Sequence, residues 1–220
     1  MNSKKKLTLT FLLLGVLVVK AQVSIGLFSG YQIPLGASAE DAFINKNSTT
    51  VDFRSFSKGN IPMGLAVKYL IKDKIQLESN YSYLLNIDET YESTNSVVIT
   101  YANAIQSLKL GVNYNIGKSK LKPIIGVNTG LYFSNVKINV KQSNNSVDNY
   151  NFDSQTSFSI GSKVGVLYEL TEKLNFDIVF NYNYIFTEGT VNSTTSKLPT
   201  KLPFSNSQLL GLQLGVNYNF

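Results

Sequence analysis

The end of the chain alternates between large apolar residues and small or polar ones. Residues 207–220 read SQLLGLQLGVNYNF, and the large apolar positions are Leu210, Leu212, Leu214, Val216, Tyr218 and Phe220. A period of two predicts a β-strand with one apolar and one polar face. At roughly 10 to 14 residues, this strand is longer than an average soluble strand and long enough to cross a bilayer at a tilt. For this strand taken alone, the edge strand of a soluble sandwich is the alternative.

Seven further segments show the same alternation. Together with the last stretch, the predicted strands are residues 23–33, 61–72, 75–87, 104–117, 122–136 or a little beyond, 156–170, 174–186 and 207–220. The segment from 174 to 186 is the most regular, and the segment from 122 to 136 is the least regular. The pattern therefore predicts an all-β fold of eight antiparallel strands.

The connections between these strands alternate in length. Short turns are predicted at residues 72–74, 118–121 and 171–173, and long polar segments at residues 34–60, 88–103, 139–155 and 187–206. Short turns at one end and long loops at the other are typical of outer-membrane β-barrels, whose short turns are periplasmic. An even number of strands also returns both chain ends to the periplasmic side.

The polar face of the strands carries all of the charges in their central spans. These residues are Lys68, Glu78, Lys109, Lys163, Glu169 and Asp177. A charge on a lipid-facing surface would cost about 2 to 4 kcal/mol at the bilayer midplane. The uncharged apolar face is therefore predicted to face lipid, which favours a transmembrane barrel over a soluble ligand-carrying barrel with an apolar interior.

Aromatic residues cluster near both ends of the predicted strands. Those near the short turns are Tyr69, Tyr114, Tyr168 and Tyr218, and those near the long loops are Tyr31, Tyr83, Phe133, Tyr184 and Phe186. Rings with a polar tip suit the boundary between hydrocarbon and headgroups. The two clusters are typical of the aromatic girdles of a transmembrane barrel.

Residues 1–21 are predicted to be a signal peptide. Three lysines at positions 4–6 precede an apolar run over residues 7–19, and Val19 and Ala21 suit cleavage before Gln22. The run is too short for a membrane-spanning helix. Residues 22–220 then form the barrel domain. Without this basic leader the formal charge of +6 falls to 16 basic against 14 acidic residues, which argues against nucleic-acid binding.

An eight-stranded barrel is only wide enough for its side chains to fill it. Three lysines and three acids on the inward face therefore predict a structural salt-bridge network, since enclosed charges must be paired. A proton or ion path through the same charges is the alternative. The acidic run at residues 88–92 is interpreted as a solvated loop tip, with a divalent-ion site as the alternative.

The residue types argue against catalysis. The chain has no histidine and no cysteine, and histidine is the usual general base near neutral pH. A serine acting with a carboxylate or lysine is left open, but no spacing marks one. We therefore predict a protein that is not an enzyme and has no catalytic, cofactor or metal site.

The export signal, the eight strands, the sequence Gly-Val-Asn-Tyr-Asn at 111–115 and 215–219, and the terminal Phe220 together resemble the PorT-like outer-membrane barrel proteins of Bacteroidetes. The resemblance covers residues 22–220 and implies an integral outer-membrane location, in contact with outer-membrane lipid. The terminal strand resembles the signal by which the assembly machinery recognises barrels for insertion, with Tyr218 and Phe220 as its aromatic residues. The family's named member is implicated in protein secretion.

These observations predict a membrane anchor that presents four long surface loops to a ligand or protein partner. A narrow, porin-like pore is one alternative. An accessory component of a protein-secretion or envelope-assembly machine is the other.

Overall fold

Eight long strands make up most of the described chain. The structure is a computed structural model that describes residues 22–35, 51–52, 59–71, 74–86, 89–92, 98–117, 119–141, 147–151, 153–187, 189–192 and 201–220. We number the long strands in chain order: β1 Gln22–Leu35, β2 Asn60–Ile71, β3 Ile75–Asn86, β4 Val98–Asn115, β5 Leu121–Lys141, β6 Gln155–Glu169, β7 Leu174–Phe186 and β8 Ser207–Asn219. The predicted signal peptide lies outside the described residues. In the described ranges no helix is long and apolar enough to cross a membrane.

The eight strands close into an antiparallel barrel. Each strand pairs with its neighbours in the chain, and β8 pairs with β1, for example at Leu27 and Val216. Following the paired residues once around the barrel from Ser24 leads back to Pro34, ten residues further along β1. Eight strands with this stagger tilt by roughly 40° from the barrel axis. The fold class predicted from the alternation is confirmed.

The outer face of the barrel is apolar, and the inner face is mostly polar. Side chains at alternate positions of every strand are exposed, with Leu27 at 67% and Val127 at 62%. The positions between them are buried, and they include Asp177 and Asn113, each 1% exposed. This arrangement is the reverse of a soluble protein and matches the predicted lipid contact.

The ends of the barrel differ in the length of their connections. Gln22, Phe220 and the connections β2–β3, β4–β5 and β6–β7 lie at one end, which we call the short-turn end. Its turns are tight: Thr171 Oγ1 accepts a hydrogen bond from Leu174 N at 3.0 Å, and Gly117 adopts a φ of 86°. The other four connections lie at the opposite end, which we call the long-loop end.

Parts of the predicted long loops are β-structure. Strand β4 begins at residue 98, six residues before the predicted start at 104, and β5 continues to Lys141. Strands Glu89–Glu92 and Val147–Asn151 pair with these extensions, so the prediction of loops over 88–103 and 139–155 is wrong there. The extensions are rich in Val, Ile and Thr, which favour strands.

A second small sheet lies among the connections of the long-loop end. Strand Gly189–Asn192 pairs with Lys201–Ser205, and Phe204 pairs in parallel with Val51. This pairing joins the β1–β2 connection to the β7–β8 connection. The predicted loop over 187–206 therefore also contains strands.

Candidate functional site

All six charged residues that the sequence placed on the polar face lie on the inner face of the barrel. Two ion pairs cross the lumen. Lys68 Nζ on β2 lies 2.6 Å from Asp177 Oδ2 on β7, and Lys163 Nζ on β6 lies 2.6 Å from Glu78 Oε2 on β3. The four side chains are at most 7% exposed. Lys68 is the register neighbour of Glu78 on the adjacent strand, yet its hydrogen bond goes across the barrel.

A third ion pair joins neighbouring strands at the short-turn end. Lys122 on β5 contacts Glu169 on β6, and their side chains are 18% and 36% exposed. The sequence analysis did not count Lys122 among the inward charges. Lys122 is the first residue of its predicted strand, and it was not assigned to either face of that strand. Its even number on β5 places it on the same face as the buried Ile124, and that alternation could have identified it.

Lys109 is the fourth inward lysine, and it has no ion pair with a carboxylate in the described part of the chain. Its Nζ atom lies 5.3 Å from the centre of the Tyr132 ring, within the range of a cation–π contact. With Lys122, the described inward side chains thus include four lysines and three acids, whereas the sequence analysis counted three of each.

Amide side chains add hydrogen bonds to the two buried carboxylates. Asn113 Nδ2 donates to Glu78 Oε2 at 2.5 Å, and Asn80 Nδ2 donates to Glu78 Oε1. Asn217 Nδ2 donates to Asp177 Oδ2 at 2.6 Å. Each buried carboxylate therefore receives a lysine and at least one amide. In Asp177 both of these contacts go to Oδ2, and Oδ1 is buried without a hydrogen-bond partner in the structure.

Glycines on the inner face make room for these charged side chains. A Cβ atom on Gly126 would clash with Asn113 Oδ1 and lie 3.1 Å from Lys163 Cε. A Cβ atom on Gly215 would lie 2.6 Å from Asp177 Oδ1. The long polar side chains thus occupy the space that a side chain would need at positions 126 and 215.

A cluster of apolar side chains fills the lumen nearer the long-loop end. Its members are Leu84, Ile105, Tyr132, Ile185 and Leu209, each at most 4% exposed. The sequence analysis missed this cluster. The sequence does mark these positions, because two large apolar residues follow one another where the alternation would place a polar one, as in Tyr132-Phe133 and Leu209-Leu210.

An enclosed cavity of about 10 Å³ lies within the lumen. Its lining includes Glu78, Asn80, Lys109, Asn128 and Lys163. This volume is near the minimum for one water molecule. The Oδ1 atoms of Asn80 and Asn128 are buried without a hydrogen-bond partner in the structure, so they suit contact with such a water.

The two aromatic residues of the predicted insertion signal lie at the short-turn end. The rings of Tyr218 and Phe220 meet edge to face, with their centres 5.1 Å apart. Phe220 N donates to Val23 O at 3.0 Å, which ties the last residue to β1. Its side chain is 74% exposed on the outer face.

Residues 9–220 match the outer membrane protein beta-barrel domain family. The chain belongs to this family. No curated protein matches it. Among solved structures, this outer-membrane barrel is similar to Neisserial surface protein A, NspA, with 18% identity, a TM-score of 0.53, and coverage of 91% of this chain and 97% of that one. It is also similar to a major outer membrane protein from Thermus thermophilus, with 10% identity, a TM-score of 0.50, and coverage of 91% and 100%.

The family and the fold together establish an integral outer-membrane protein. The apolar outer face of the barrel contacts lipid, and the inner face holds the charges. The acidic run at 88–92 adds nothing to this picture: Asp88 is outside the described residues, and the side chains of residues 89–92 are not described.

Proposed function

We propose that this outer-membrane barrel is a closed, non-enzymatic anchor that presents its long-loop end to a protein partner or ligand. The observation that carries the proposal is the filled lumen. Two ion pairs cross it, and the apolar cluster around Tyr132 lies between them and the long-loop end.

The packing of the lumen favours an anchor over a narrow pore. A hydrated ion that crossed the barrel would have to break the buried Lys68–Asp177 or Lys163–Glu78 pairs, and breaking such a pair is costly. It would also have to pass the apolar cluster, and apolar constrictions block ions by excluding water. The enclosed cavity beside Glu78 and Lys163 has a volume of about 10 Å³, which suits about one water molecule and not a hydrated ion.

The long-loop end supports a role in recognition. Outer-membrane barrels place their long loops outside the cell, and loops held by a rigid scaffold are common binding surfaces. Here strands Glu89–Glu92 and Val147–Asn151 extend the barrel wall, and Phe204 pairs with Val51 across two connections. Backbone pairing of this kind gives a partner a preformed surface.

Conductance across planar bilayers tests the closed lumen. We expect no single-channel steps from the wild-type protein. The double variant Leu84→Ala with Tyr132→Ala removes side chains from the apolar cluster and should raise conductance, whereas Leu85→Ala with Phe133→Ala removes their outward neighbours and should not. Discrete conductance steps from the wild-type protein would favour the pore alternative.

Cross-linking in native outer membranes tests the recognition role. An affinity tag inserted between residues 141 and 147 interrupts neither β5 nor the following strand. We expect one stoichiometric partner. This partner should no longer be captured when residues 142–146 are replaced by a glycine-serine linker. Absence of any stoichiometric partner would contradict presentation to a protein. A partner from an export machine would instead favour the accessory role implied by the PorT-like resemblance.

The proposal includes removal of residues 1–21 as a signal peptide, leaving residues 22–220 as the mature barrel domain. Strand β1 begins at Gln22, so cleavage there leaves the strand whole. Sequencing the amino terminus of the protein purified from outer membranes should give Gln22. A start within residues 1–19 would contradict the proposed cleavage site.

A further inference from the structure

The barrel wall continues beyond the barrel on one side of the long-loop end. Strand Glu89–Glu92, residues 98–103 of β4, residues 136–141 of β5 and strand Val147–Asn151 pair in that order, and we call these four segments the wall extension. Its two outer strands continue the edges of β4 and β5 that pair with β3 and β6, each after one extra residue in the register. Such a bulge bends the sheet where it occurs.

The apolar and polar faces of the wall exchange sides where the wall leaves the barrel. On β5, Leu131 and Phe133 are exposed on the lipid-facing side. The alternate positions that continue this face are Lys137, Asn139 and Lys141. The other face continues the lumen side, and the register assigns to it a set of apolar residues that includes Ile99, Tyr101, Val136, Ile138, Val140 and Tyr150. The wall extension therefore has its apolar face on the lumen side.

The small sheet belongs to connections on the other side of the mouth of the lumen. It consists of Gly189–Asn192, Lys201–Ser205 and Val51–Asp52, from the β7–β8 and β1–β2 connections. In the order of the closed barrel, β8 and β1 lie opposite β4 and β5. Paired residues share one face of a sheet, and one face of the small sheet holds Val51, Val191, Leu202 and Phe204. This sheet therefore also has an apolar face.

The rim of the lumen at this end is covered. Ser134 on β5 is 2% exposed, Ser157 on β6 is 3% exposed and Thr187 after β7 is 4% exposed. Ser207, the first residue of β8, is 0% exposed. Side chains of this kind are mostly exposed in proteins, and an open mouth would leave these inner-face positions in contact with water. Part of the chain beyond the rim therefore closes over the mouth.

We propose that the wall extension and the small sheet pack against each other through their apolar faces and form a cap over the mouth of the lumen. A sheet with one apolar face buries it against another element, and these two faces belong to opposite sides of one mouth. Sheets that pack face to face lie about 10 Å apart. Glu89 and Asp148 share the apolar face of the wall extension but belong to its outer strands, so they are at the margin of the contact.

The cap rests on the proposed function and refines it, because it determines which surface a partner meets. With the apolar faces in contact, the faces left at the surface are the polar ones. The face of the wall extension carries Lys137, Asn139 and Lys141, and that of the small sheet carries Asn192 and Lys201. A partner of this surface is recognised by hydrogen bonds and charge, and not by insertion of an apolar segment between the two sheets.

Cysteine cross-linking of the full-length chain tests the cap, since the chain has no cysteine of its own. Ile138→Cys with Leu202→Cys places one thiol on each apolar face, and Asn139→Cys with Lys201→Cys uses the adjacent positions on the polar faces. With the folded protein in vesicles and a short bis-maleimide, we expect an intramolecular cross-link in the first pair and not in the second. Equal cross-linking of both pairs, or of neither, would overturn the proposal.

Reactivity of the rim tests whether the cap covers the lumen. Ile138→Asp places a charge between the two sheets, and it should raise the rate at which Ser134→Cys reacts with a water-soluble maleimide at least about tenfold, equivalent to roughly 1.4 kcal/mol of local opening. Asn139→Asp, on the polar face, should leave this rate unchanged. Migration of the unboiled protein in detergent gels reports whether each variant is still a folded barrel. An unchanged rate in a folded Ile138→Asp variant, or the same increase in both variants, would overturn the proposal.

These experiments separate the cap from the proposed function, because they need no partner. Absence of a partner in native membranes contradicts the recognition role and not the cap, whereas absence of the cross-link between positions 138 and 202 contradicts the cap and not the recognition role. A disulfide-linked dimer formed by Ile138→Cys alone would identify a second copy as the cover of the apolar face and would also overturn the proposal.

Discussion

Removing one partner of a buried ion pair should destabilise the barrel far more than removing one partner of an exposed pair. Asp177 is 1% exposed and accepts hydrogen bonds from Lys68 and Asn217. The substitution Asp177→Asn leaves Lys68 charged and enclosed without its ion-pair partner. Loss of one partner of a buried pair costs about 3 to 5 kcal/mol, so we expect a decrease in the free energy of unfolding of that size.

Two further variants show whether the loss of stability arises from the unpaired charge of Lys68. The double variant Lys68→Met with Asp177→Asn removes both charges and should recover most of the stability, because no charge is then left enclosed without its partner. Glu169→Gln affects the partly exposed Lys122–Glu169 pair, where about 0 to 1 kcal/mol is expected. The ordering of the three variants is therefore predicted along with the size of each effect.

The assay is urea unfolding of the barrel in phospholipid vesicles, with the folded fraction measured from the migration of unboiled protein in detergent gels. The midpoint and slope give the free energy of unfolding for each variant. The reasoning would be refuted if Asp177→Asn cost no more than Glu169→Gln. It would also be refuted if the double variant were as unstable as Asp177→Asn alone.

Three further predictions follow from the same contacts. Gly126→Ala should lower the free energy of unfolding by about 1 to 3 kcal/mol, because its Cβ would clash with Asn113 Oδ1 and with the backbone oxygen of Val112. Urea unfolding that matches wild type would contradict this. Lys163→Met should lower the free energy of unfolding strongly, because it leaves Glu78 buried without its lysine partner. Lys109→Met should cost at most about 2 kcal/mol, the upper range of a desolvated cation–π contact. Equal losses in the same assay would argue against an ion pair at Lys163 and a cation–π contact at Lys109. Phe220→Ala should lower the amount of barrel inserted in cells while refolding of the purified protein into vesicles is unchanged; normal insertion, measured by outer-membrane fractionation, would contradict a role in the insertion signal.

The sequence predicted the strands well because burial in a barrel repeats every second residue. Strand β7 shows this directly, since Ile178 and Phe180 face lipid and Val179 and Asn181 face the lumen. The inward location of Lys68 followed from the same alternation.

The pairing of charges could not be predicted, because it depends on the stagger between strands. The register places Lys68 next to Glu78 on the adjacent strand, but the stagger also brings Asp177, from the other side of the barrel, within 2.6 Å of it. The apolar cluster was missed because residues such as Leu84 lie at inward positions where the pattern predicted polar ones. The strands within the long loops were missed because the polar composition of these segments was given more weight than the valines and isoleucines at the start of β4 and the end of β5.

The central claim is that one face of each strand contacts lipid while the other is packed inside a closed lumen. Because the chain has no cysteine, single cysteines at Ile178, Val179, Phe180, Asn181 and Tyr182 of β7 can test it with the folded protein in vesicles. We predict that a lipid-soluble maleimide labels positions 178, 180 and 182, and that a water-soluble maleimide labels neither 179 nor 181. Labelling of 179 and 181 by the water-soluble reagent, or labelling without alternation, would contradict the closed barrel.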